Sequence, residues 1–477
     1  MDGLECSEIW LNDIENNFTI GAEFYSKKYI EAINAVKQCS KVALLSNISR
    51  VITDGDHGVS EYQAQGVLYL LSENVKCGYL DLTDVKYIDI CKHLNLRRSA
   101  LHPRDIVVTK TGIYFGKSAV IPPYIHEANM IAHVGKIVLK SEYNPYFVSS
   151  FLNCKYGYYQ LRRRGIKATR PEIKLIEFGD IVVPKFSDKF DKHIEQLILY
   201  GNDTKKKADD TYQEAEEILL FSLKLDKFIP SKENTSIKSF SQVDRSGRMD
   251  AEYYQPKYDE IEEKLSKFPQ IKMKALINYP VCSGSTPKAG DSRYYTDENS
   301  GIPFVRAVDI VNSRIDTKNF IYVTPFIHNN LLKRTKLKKY DVLFSIAGTV
   351  GRCGVFDHDF EANINQAVAI LRFSEEKIKR QYLVQYFNSS IGKLIIGKYS
   401  RQGLQTNLNL DEVSELSIPI IRYDIQEKIA KLISESFILR EQSELLLKAA
   451  VRAVEIAIEQ DESVAMAYLE EQTKGDA

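Results

Sequence analysis

The sequence predicts a mixed α/β fold of the α+β kind, in which two tandem, pseudo-symmetric domains are joined by two long antiparallel helices. Three observations predict it. Short motifs recur in the same order about 235 residues apart, both copies alternate short apolar runs with turns, and each copy is followed by a long stretch of helical periodicity. A repeat of this length indicates a duplicated domain, because solenoid repeats are only about 20–50 residues long.

The repeat keeps its register through most of each copy. Asp105-Ile106-Val107-Val108 corresponds to Asp341-Val342-Leu343-Phe344, and Glu127-Ala128-Asn129 returns as Glu361-Ala362-Asn363. Single residues follow the same offset: Asn153, Gly157 and Pro184 correspond to Asn388, Gly392 and Pro419. Because the order is preserved, we expect the two copies to share one fold and to perform related tasks.

Composition sets broad limits on function. The 477 residues include 64 Lys or Arg and 64 Asp or Glu, so nucleic-acid binding would need local basic surfaces. The seven cysteines contain no CxxC pair, which favours reduced thiols. Since we find no signal peptide and no apolar run of about 18 residues, we expect a soluble cytoplasmic protein without a membrane partner.

The elements of each copy follow a common order. A helix is predicted from Phe24 to Val36, and its counterpart begins at Tyr253. Strands are predicted at Val67–Leu71, Ile106–Thr109, Ile137–Leu139, Val342–Ser345 and Ala367–Leu371. A helix near the end of each copy, Pro145–Tyr159 or Lys377–Ile396, precedes a closing strand at Val183-Pro184 or Ile418-Pro419.

Two longer helices are predicted after the closing strands. Apolar residues recur every three or four positions from Asp191 to Leu223 and from Ile425 to Glu459. We expect the two helices to pair as an antiparallel spacer, with packing of each helix on its own domain as the alternative. Gly201 is expected to interrupt the first helix, and Pro230–Arg248 reads as a linker.

Enzyme motifs fail when their spacing and chemistry are checked. Gly112–Ser118 has three residues between its glycines where a phosphate loop needs four, so a turn between strands is predicted. Ile121-Pro122-Pro123-Tyr124 lacks the polar first residue that would bind the amino group of a flipped base. The histidines are dispersed, and we predict no catalytic residue and no metal site.

Basic residues interleaved with aromatic and amide residues occupy equivalent places in both copies. Such clusters suit duplex DNA, because Lys and Arg hold phosphates while Arg, Gln and Asn read base edges. The alternative is a solvated charged surface. The run Lys333–Lys339 adds phosphate-binding capacity but has no equally dense counterpart in the first copy. The clusters are Arg162-Arg163-Arg164, Lys167 and Arg170 in the first copy, and Lys398, Arg401, Gln402, Gln405 and Asn407 in the second.

The ordered motifs of the chain resemble the specificity (S) subunits of Type I restriction-modification systems. The second copy carries Cys282-Ser283-Gly284-Ser285-Thr286-Pro287, Lys339–Ser345, Asn365-Gln366-Ala367-Val368 and Gln405-Thr406-Asn407-Leu408 in that order. The first copy is similar but diverges, with Thr53-Asp54-Gly55-Asp56-His57 and Arg104–Gly112. Single motifs are degenerate, whereas their order and duplication over nearly the whole chain are specific.

The resemblance implies an organisation into two target-recognition domains. The expected segments are an N-terminal lead-in and helix (1–40), domain 1 (41–188), a central spacer helix (189–224), a linker (225–248), domain 2 (249–423), a C-terminal spacer helix (424–465) and a tail (466–477). Each domain would read one half of a bipartite, asymmetric site in double-stranded DNA, and the helices would set the spacing.

The resemblance also implies partners. The chain would have no cofactor of its own and would recruit two modification (methyltransferase) subunits and restriction (endonuclease and translocase) subunits. S-adenosylmethionine, ATP and magnesium are expected on those partners, in a phage-defence system based on DNA methylation. Alternatives are an S-like subunit of another defence or modification complex, a self-contained methyltransferase or nuclease, and a coiled-coil adaptor without DNA affinity.

Site residues follow from the basic clusters and from the motifs. The residues expected to contact DNA are Thr53, Asp54, His57, Lys110, Thr111, Arg162, Arg163, Arg164, Lys167, Arg170, Ser283, Ser285, Thr286, Arg306, Ser345, Arg352, Arg401, Gln402, Gln405 and Asn407. The residues expected to dock partner subunits are Ile194, Leu197, Ile429, Leu432 and Ile433.

Overall fold

The computed structural model describes residues 7–11, 14, 21–58, 61–165, 171–288, 290–291, 293–311, 313–401 and 406–474. The chain divides into two compact units. Unit 1 comprises Met1–Lys207 with Leu439–Ala477, and unit 2 comprises Ala208–Ile438. Each unit mixes helices with β-sheets, which confirms the predicted fold class.

Unit 1 contains short strands, short helices and parts of two long helices. Its strands are β1 (Val42–Leu44), β2 (Ser49–Asp54), β3 (Val67–Leu70), β4 (Lys86–Ile88), β5 (Ile106–Thr109), β6 (Ser118–Val120), β7 (Ala128–Met130), β8 (Val134–Leu139) and β9 (Val182–Pro184). Its helices are α1 (Lys27–Lys37), α2 (Leu45–Ile48), α3 (Ile90–Asn95), α4 (Pro145–Asn153), α5 (Lys155–Gly165), α6 (Leu175–Gly179) and the first part of α7 (Asp188–Ser222).

The central sheet of unit 1 is covered on both faces. Its strand order is β2-β8-β5-β6, beside a sheet ordered β4-β3-β7 and the pair β1-β9. On β5, Ile106 and Val108 lie in the core that includes α4, α5 and α7, while Val107 lies in a second core with residues of β3 and β7. Because both faces are buried, β5 is apolar at successive positions and does not alternate with polar residues. Each such side chain contributes roughly 1.5–3 kcal/mol by burial.

Unit 2 repeats this arrangement with additional strands. Its strands are β10 (Gln270–Lys272), β11 (Cys282–Ser283), β12 (Tyr295–Thr296), β13 (Ile302–Val305), β14 (Ile310–Val311), β15 (Arg314–Ile315), β16 (Ile321–Val323), β17 (Asp341–Ser345), β18 (Cys353–Phe356), β19 (Asn363–Ile364), β20 (Val368–Leu371) and β21 (Ser417–Pro419). Its helices are α8 (Phe240–Ser246), α9 (Pro256–Leu265), α10 (Met273–Leu276), α11 (Pro325–Asn329), α12 (Arg380–Asn388), α13 (Ser390–Tyr399), α14 (Leu410–Glu415) and the first part of α15 (Tyr423–Glu459).

Strand order confirms the internal repeat. The sheet of unit 2 runs β11-β20-β17-β18-β15-β14, and its first four strands match β2-β8-β5-β6 of unit 1. The order β16-β13-β19 matches β4-β3-β7, and the parallel pair β13-β19 matches the parallel pair β3-β7. The closing pair β10-β21 matches β1-β9. Both units therefore derive from one topology.

An asparagine side chain joins helix to sheet in unit 1. Asn153 Oδ1 accepts a hydrogen bond from the Ser118 backbone N–H at 2.9 Å, and Nδ2 donates to the Ser118 carbonyl at 2.7 Å. The chain then turns at Cys154 into α5, where a Cβ on Gly157 would lie 2.0 Å from the Phe151 carbonyl oxygen. Only glycine permits this approach. The single helix predicted for Pro145–Tyr159 is therefore wrong, since α4 and α5 are separate.

Unit 2 contains the same joint. Asn388 Oδ1 accepts from the Cys353 N–H at 3.0 Å, and Nδ2 donates to the Cys353 carbonyl at 2.8 Å. Ser389 caps α13, and a Cβ on Gly392 would lie 2.0 Å from the Tyr386 carbonyl oxygen. The predicted helix Lys377–Ile396 is likewise two helices. The repeat of Asn and Gly in both copies thus reflects one helix–sheet contact and one close turn.

The long helices pair antiparallel, as predicted, and also pack on their own units. In unit 1, Ser443 on α15 donates a hydrogen bond to the Gly201 carbonyl on α7 at 2.7 Å, and in unit 2 Ser436 donates to the Ala208 carbonyl at 2.7 Å. The residue numbers run in opposite directions along the two helices. A Cβ on Gly201 would lie 3.1 Å from Leu447 Cδ2, so glycine permits close packing. The predicted interruption is wrong, because α7 is continuous.

Two further expectations are corrected. The segment 466–477, expected as a tail, is part of α16 (Glu462–Lys474) in its described portion, and Leu469 on α16 is buried in the core of unit 1. The expected linker contains α8, none of whose side chains is buried. No helix among the described residues has the length and apolar character needed to cross a bilayer.

Asp191 is a buried carboxyl near the start of α7. Its side chain is 7% exposed, and its Oδ1 has no hydrogen-bond partner. Burial, reinforced by the nearby Asp188, Glu195 and Glu462 carboxylates and opposed by Lys185, raises the pKa of Asp191 to about 7. The equivalent residue of unit 2 is the neutral Gln426, whose amide makes hydrogen bonds with backbone groups. Unit 1 thus buries an acid where unit 2 buries an amide.

We predict that Asp191→Asn stabilises unit 1 increasingly as pH rises. The unfolded carboxyl ionises near pH 4 and the folded one near pH 7, so the wild type loses stability between these values and the full penalty persists above pH 7. The stabilisation should be roughly 2–4 kcal/mol at pH 8 and close to zero below pH 4. Urea unfolding at pH 4 to 8 measures it. The control is Asp188→Asn, because Asp188 is an exposed neighbour of Asp191. If the stabilities of the two variants depended on pH in the same way, the prediction would be contradicted.

Candidate nucleic-acid interface

Several predicted DNA contacts of unit 2 meet at one end of its central sheet. Strand β17 ends there, and the next residue, Ile346, accepts a backbone hydrogen bond from Leu408 and donates one to Ala367. Thr286 Oγ1 accepts from the Gln366 N–H at 3.4 Å at the same end. Exposed predicted contacts on these segments are Ser285, Thr286, Arg352, Arg401 and Asn407. The sheet end therefore combines two cations with hydroxyl and amide groups.

Ser345 organises the turn between β17 and β18. Its Oγ donates to the Thr349 carbonyl at 2.5 Å and accepts from the Arg352 N–H at 2.8 Å. Gly348 and Gly351 have φ values of 76° and 90°, which favour glycine. Because Ser345 is fully buried, its predicted contact with DNA is wrong. Its role is to hold Arg352 at the end of the turn.

Arg401 and Asn407 are paired through their backbones. The Arg401 N–H donates to the Asn407 carbonyl at 3.0 Å, and the Asn407 N–H donates to the Arg401 carbonyl at 3.3 Å. The Arg401 guanidinium is exposed and lies 3.2 Å from Glu412. Gln402 and Gln405 lie outside the described residues. Of the four predicted contacts between positions 401 and 407, the two that are described thus lie side by side at the surface.

The remaining predicted contacts of unit 2 are only half-buried. Arg306 pairs with Asp309 at 3.0 Å and donates to the Asn319 carbonyl at 2.7 Å, so its guanidinium is held against the domain. Ser283 lies on β11, the edge strand of the central sheet. Neither side chain is closed off from solvent, and both remain predictions.

In unit 1 the equivalent sheet end carries a network of ion pairs. Lys110 Nζ lies 2.6 Å from Asp54 Oδ2, His57 Nε2 lies 3.1 Å from the same oxygen, and Arg98 lies 3.2 Å from Oδ1. Burial favours the protonated acid, but the Lys110 hydrogen bond and charge outweigh it and hold the pKa of Asp54 below its usual value. The Asp54 carboxylate is therefore neutralised within the chain.

Burial corrects four of the predicted contacts in unit 1. Thr53, Asp54, Lys110 and Thr111 are each 7% exposed or less. Direct contact with DNA requires an accessible side chain, so these four do not form the predicted open surface. His57 is the exception, since its ring is largely exposed.

The triple-arginine cluster is not a uniform basic surface. The Arg163 guanidinium lies 3.8 Å from the centre of the Phe24 ring, and its Nε donates to the Phe24 carbonyl at 2.7 Å. Arg164 is 3% exposed, and only Arg162 is partly accessible. The prediction that Arg163 and Arg164 hold phosphates is wrong. Lys167 and Arg170 lie outside the described residues.

Unit 2 repeats this internal cation–aromatic contact, which the sequence reasoning missed. Lys398 Nζ lies 4.8 Å from the centre of the Tyr253 ring and 2.6 Å from Glu262. The Arg248 guanidinium lies 4.9 Å from the same ring centre. An aromatic pair, Phe24-Tyr25 or Tyr253-Tyr254, precedes the first helix of each copy. This repeated pair is the sequence signal from which the contact could have been predicted.

Four of the five predicted docking residues lie inside the protein. Ile194 and Leu197 belong to the core of unit 1, and Ile429 and Ile433 belong to the core of unit 2. Their predicted role in binding partner subunits is wrong, because they are buried in the packing of α7 and α15. Leu432 is half-buried, and its docking role stays a prediction. Apart from Tyr423 at the start of α15, the large apolar side chains exposed on these two helices are Tyr200, Phe221, Ile438 and Leu445.

Metal chemistry has no obvious place in the described part of the chain. There, no group of three or more His, Cys, Asp or Glu side chains is arranged to hold a metal ion. The accessible groups at the sheet end of unit 2 are instead cations, hydroxyls and amides, which are groups that bind phosphates and base edges. At the sheet end of unit 1 the accessible groups described above are His57 and Arg98. This chemistry suits a DNA-recognition site.

Comparison with known proteins finds similarity to one family over part of the chain. Residues 280–444 match the Type I restriction modification DNA specificity domain. The chain is 25% identical over 175 residues to the Type I restriction enzyme EcoBI specificity subunit of Escherichia coli, an alignment that covers 37% of this chain and 35% of that protein. The resemblance to Type I specificity subunits is thus confirmed, and residues 280–444 carry the domain of that family.

Solved structures give a looser likeness. The S subunit of a Type-I restriction-modification system from M. genitalium shares 11% identity, with 91% of this chain and 96% of that chain covered and a TM-score of 0.41. The HsdS subunit from Thermoanaerobacter tengcongensis shares 12% identity, with 92% and 97% covered and a TM-score of 0.27.

We predict that Arg163→Met lowers stability and leaves DNA affinity unchanged. Met keeps an apolar side chain of similar length but loses the cation–aromatic contact and the hydrogen bond to Phe24, so we expect a loss of roughly 2–4 kcal/mol. A thermal melt followed by circular dichroism measures stability, and titration of a duplex measures affinity. Arg162→Met is the control, and should leave the melting temperature nearly unchanged. Weaker DNA binding by Arg163→Met at temperatures where it is folded would contradict its internal role.

Proposed function

We propose that this chain is the DNA sequence-specificity subunit of a Type I restriction-modification complex. One observation carries the proposal: unit 2 matches the DNA specificity domain, and unit 1 repeats its strand order. A shared topology supports a shared task, so each unit is proposed to read one half of a bipartite site in double-stranded DNA. Long helices that contribute to both units are proposed to set the spacing between the half-sites.

The chemistry of the two sheet ends supports an asymmetric site. Asp54 of β2 and Ser283 of β11 occupy equivalent places, since they pair with equivalent positions of the next strand. Lys110 and Ile346 follow the equivalent strands β5 and β17 at the same offset of the repeat. The sheet end of unit 1 thus contains an ion pair where the sheet end of unit 2 contains a hydroxyl and an alkyl group. Two surfaces built on such different supports are expected to prefer different bases.

Partner subunits are proposed to supply the chemistry. Two modification subunits would methylate DNA with S-adenosylmethionine, and restriction subunits would cut it with ATP and magnesium, in the cytoplasm. The exposed apolar residues of α7 and α15 are the proposed docking surface in place of the buried ones. They are Tyr200 and Leu445 in unit 1 and Phe221 and Ile438 in unit 2.

We predict that Asn407→Ala relaxes recognition of one half-site and leaves the other intact. The exposed Asn407 amide lies at the sheet end of unit 2 and could bind an adenine edge, where a good bidentate contact contributes about 1–3 kcal/mol of discrimination. Long-read methylation mapping of cells that express the chain with its modification subunits would show extra bases accepted in that half-site.

The control is Asn278→Ala, an exposed asparagine of unit 2 whose N–H bonds to Arg372, beyond the other end of β20. An unchanged methylated motif in Asn407→Ala would contradict base reading by this residue. Absence of any two-part methylated motif with the wild-type chain and its modification subunits would contradict the proposed function itself.

A further inference from the structure

A second basic element recurs in both units, and in unit 1 it borders the sheet end described above through the Arg98–Asp54 ion pair. Leu96-Arg97-Arg98-Ser99 corresponds to Leu332-Lys333-Arg334-Thr335 at an offset of 236 residues. Each forms a 3-10 turn after a short helix, α3 in unit 1 and α11 in unit 2. In both, the two central cations are exposed and the following hydroxyl residue is buried. The first two cations of the run Lys333–Lys339 therefore have a counterpart in the first copy, although the run as a whole has no equally dense one, as expected from sequence.

In unit 1 one buried asparagine fastens both ends of the turn. Asn129 Oδ1 accepts from Ser99 Oγ at 2.7 Å, after the cations, and Nδ2 donates to the Leu96 carbonyl at 3.3 Å, before them. Nδ2 also lies 3.2 Å from His93 Nδ1, and His93 Nε2 lies 2.8 Å from Glu127. Asn129 and His93 are almost fully buried. The turn is thus held to β7 by a continuous hydrogen-bonded network.

Unit 2 brings the equivalent residues together, with Thr335 in place of Ser99 and with the donor and acceptor roles of the asparagine amide toward the hydroxyl and the histidine reversed. The amide orientation that satisfies Asn363 has Nδ2 donate to Thr335 Oγ1 at 2.7 Å and to the Leu332 carbonyl at 3.0 Å, while Oδ1 accepts from His328 Nδ1 at 2.6 Å. His328 Nε2 lies 3.8 Å from Glu361. The repeated Glu-Ala-Asn motif therefore supplies two of the network residues in each copy.

A fixed turn of this kind suits an anionic polymer. Ordinary surface Lys and Arg side chains extend from regular helices or loops, whereas here the backbone on both sides of a cation pair is anchored to the core. Anchoring lowers the entropy lost when the turn binds a ligand. Exposed apolar residues stand beside the cations, Ile90 and Leu94 in unit 1 and Phe326 and Leu331 in unit 2. Cations next to apolar groups match the phosphates and sugars at a groove edge of a duplex.

We propose that the turns Leu96–Ser99 and Leu332–Thr335 are backbone clamps, in which Arg97 and Arg98 or Lys333 and Arg334 bind phosphates of duplex DNA. The inference rests on the proposed function, and it adds a contact surface in each unit that is separate from the base-reading residues. In unit 1, Arg98 also pairs with Asp54, so Arg97 is the more available cation. Contacts to phosphates carry no sequence preference, so both clamps act on any duplex.

The test compares two double variants of unit 2 in the complex with modification subunits. Lys333→Ala/Arg334→Ala removes the clamp, and Lys264→Ala/Lys267→Ala removes two exposed lysines of the α9 region as a matched loss of charge. Titration of a labelled duplex over a range of salt concentrations gives the slope of log affinity against log salt. Each lost phosphate contact should reduce the steepness of this slope by about 0.9.

We expect the clamp variant to lose about two units of slope and to bind roughly 10–60-fold more weakly at 0.1 M salt, equally for cognate and unrelated duplexes. The control should bind like the wild type. Melting temperatures should agree among all three proteins, because the replaced side chains are exposed. The same comparison applies to Arg97→Ala in unit 1, where about one unit of slope should be lost.

A clamp variant with the slope and affinity of the control would overturn the inference and leave the proposed function standing. Failure of the proposed function is a different result, in which the wild-type complex shows no preference for any duplex sequence. In that case the inference is still tested by comparing the slopes of log affinity against log salt for the clamp and control variants on one arbitrary duplex. Loss of affinity for one half-site sequence only would also overturn it, since a phosphate clamp does not discriminate between bases.

Discussion

The bidentate hydrogen bonds of Asn153 and Asn388 are the contacts on which each unit's architecture depends. Each amide satisfies both backbone groups of one residue in a strand of the central sheet, Ser118 of β6 or Cys353 of β18, and so fixes where the helix pair crosses the sheet. In unit 1 the second helix, α5, carries Arg162, and in unit 2 the second helix, α13, ends two residues before Arg401. Because an unsatisfied buried amide costs about 1–3 kcal/mol, the joint admits few substitutions. The position of the candidate interface follows from this single polar contact.

The part of the fold that could be predicted from sequence is the part that local sequence patterns determine. The strands β5 and β17 are runs of β-branched or large apolar residues between turns, and the structure places both in the middle of their sheets. The long helices were predictable from apolar spacing over more than nine turns. The division of α4 from α5 was not, because it depends on a close backbone approach at Gly157 that involves no periodic feature. Continuity of α7 through Gly201 likewise depends on Leu447, which is distant in sequence.

The candidate site was predictable in location but not in detail. The sequence predicted cations near the end of each copy. Arg162 is nevertheless partly accessible while Arg163 is buried, because successive residues on a helix point about 100° apart. Arg163 meets Phe24, 139 residues away in the chain. The network of His93 and Asn129 joins residues 36 positions apart. It could not be predicted from sequence, because it forms only when the strand and the turn pack together. Whether a cation lies at the surface or inside the protein therefore depends on polar partners that are distant in the sequence.

The serine–carbonyl hydrogen bonds of the long helices constrain how this protein can change in length. Gly201 and Ala208 are seven residues apart on α7, and Ser443 and Ser436 are seven apart on α15. An insertion in one helix alone shifts the pairing and leaves buried hydroxyls facing side chains, a loss of about 1–3 kcal/mol for each unsatisfied group. Variants that preserve the pairing gain or lose seven residues in both helices together. A change of seven residues in both helices is thus one change in length that keeps the spacing between these two hydrogen bonds.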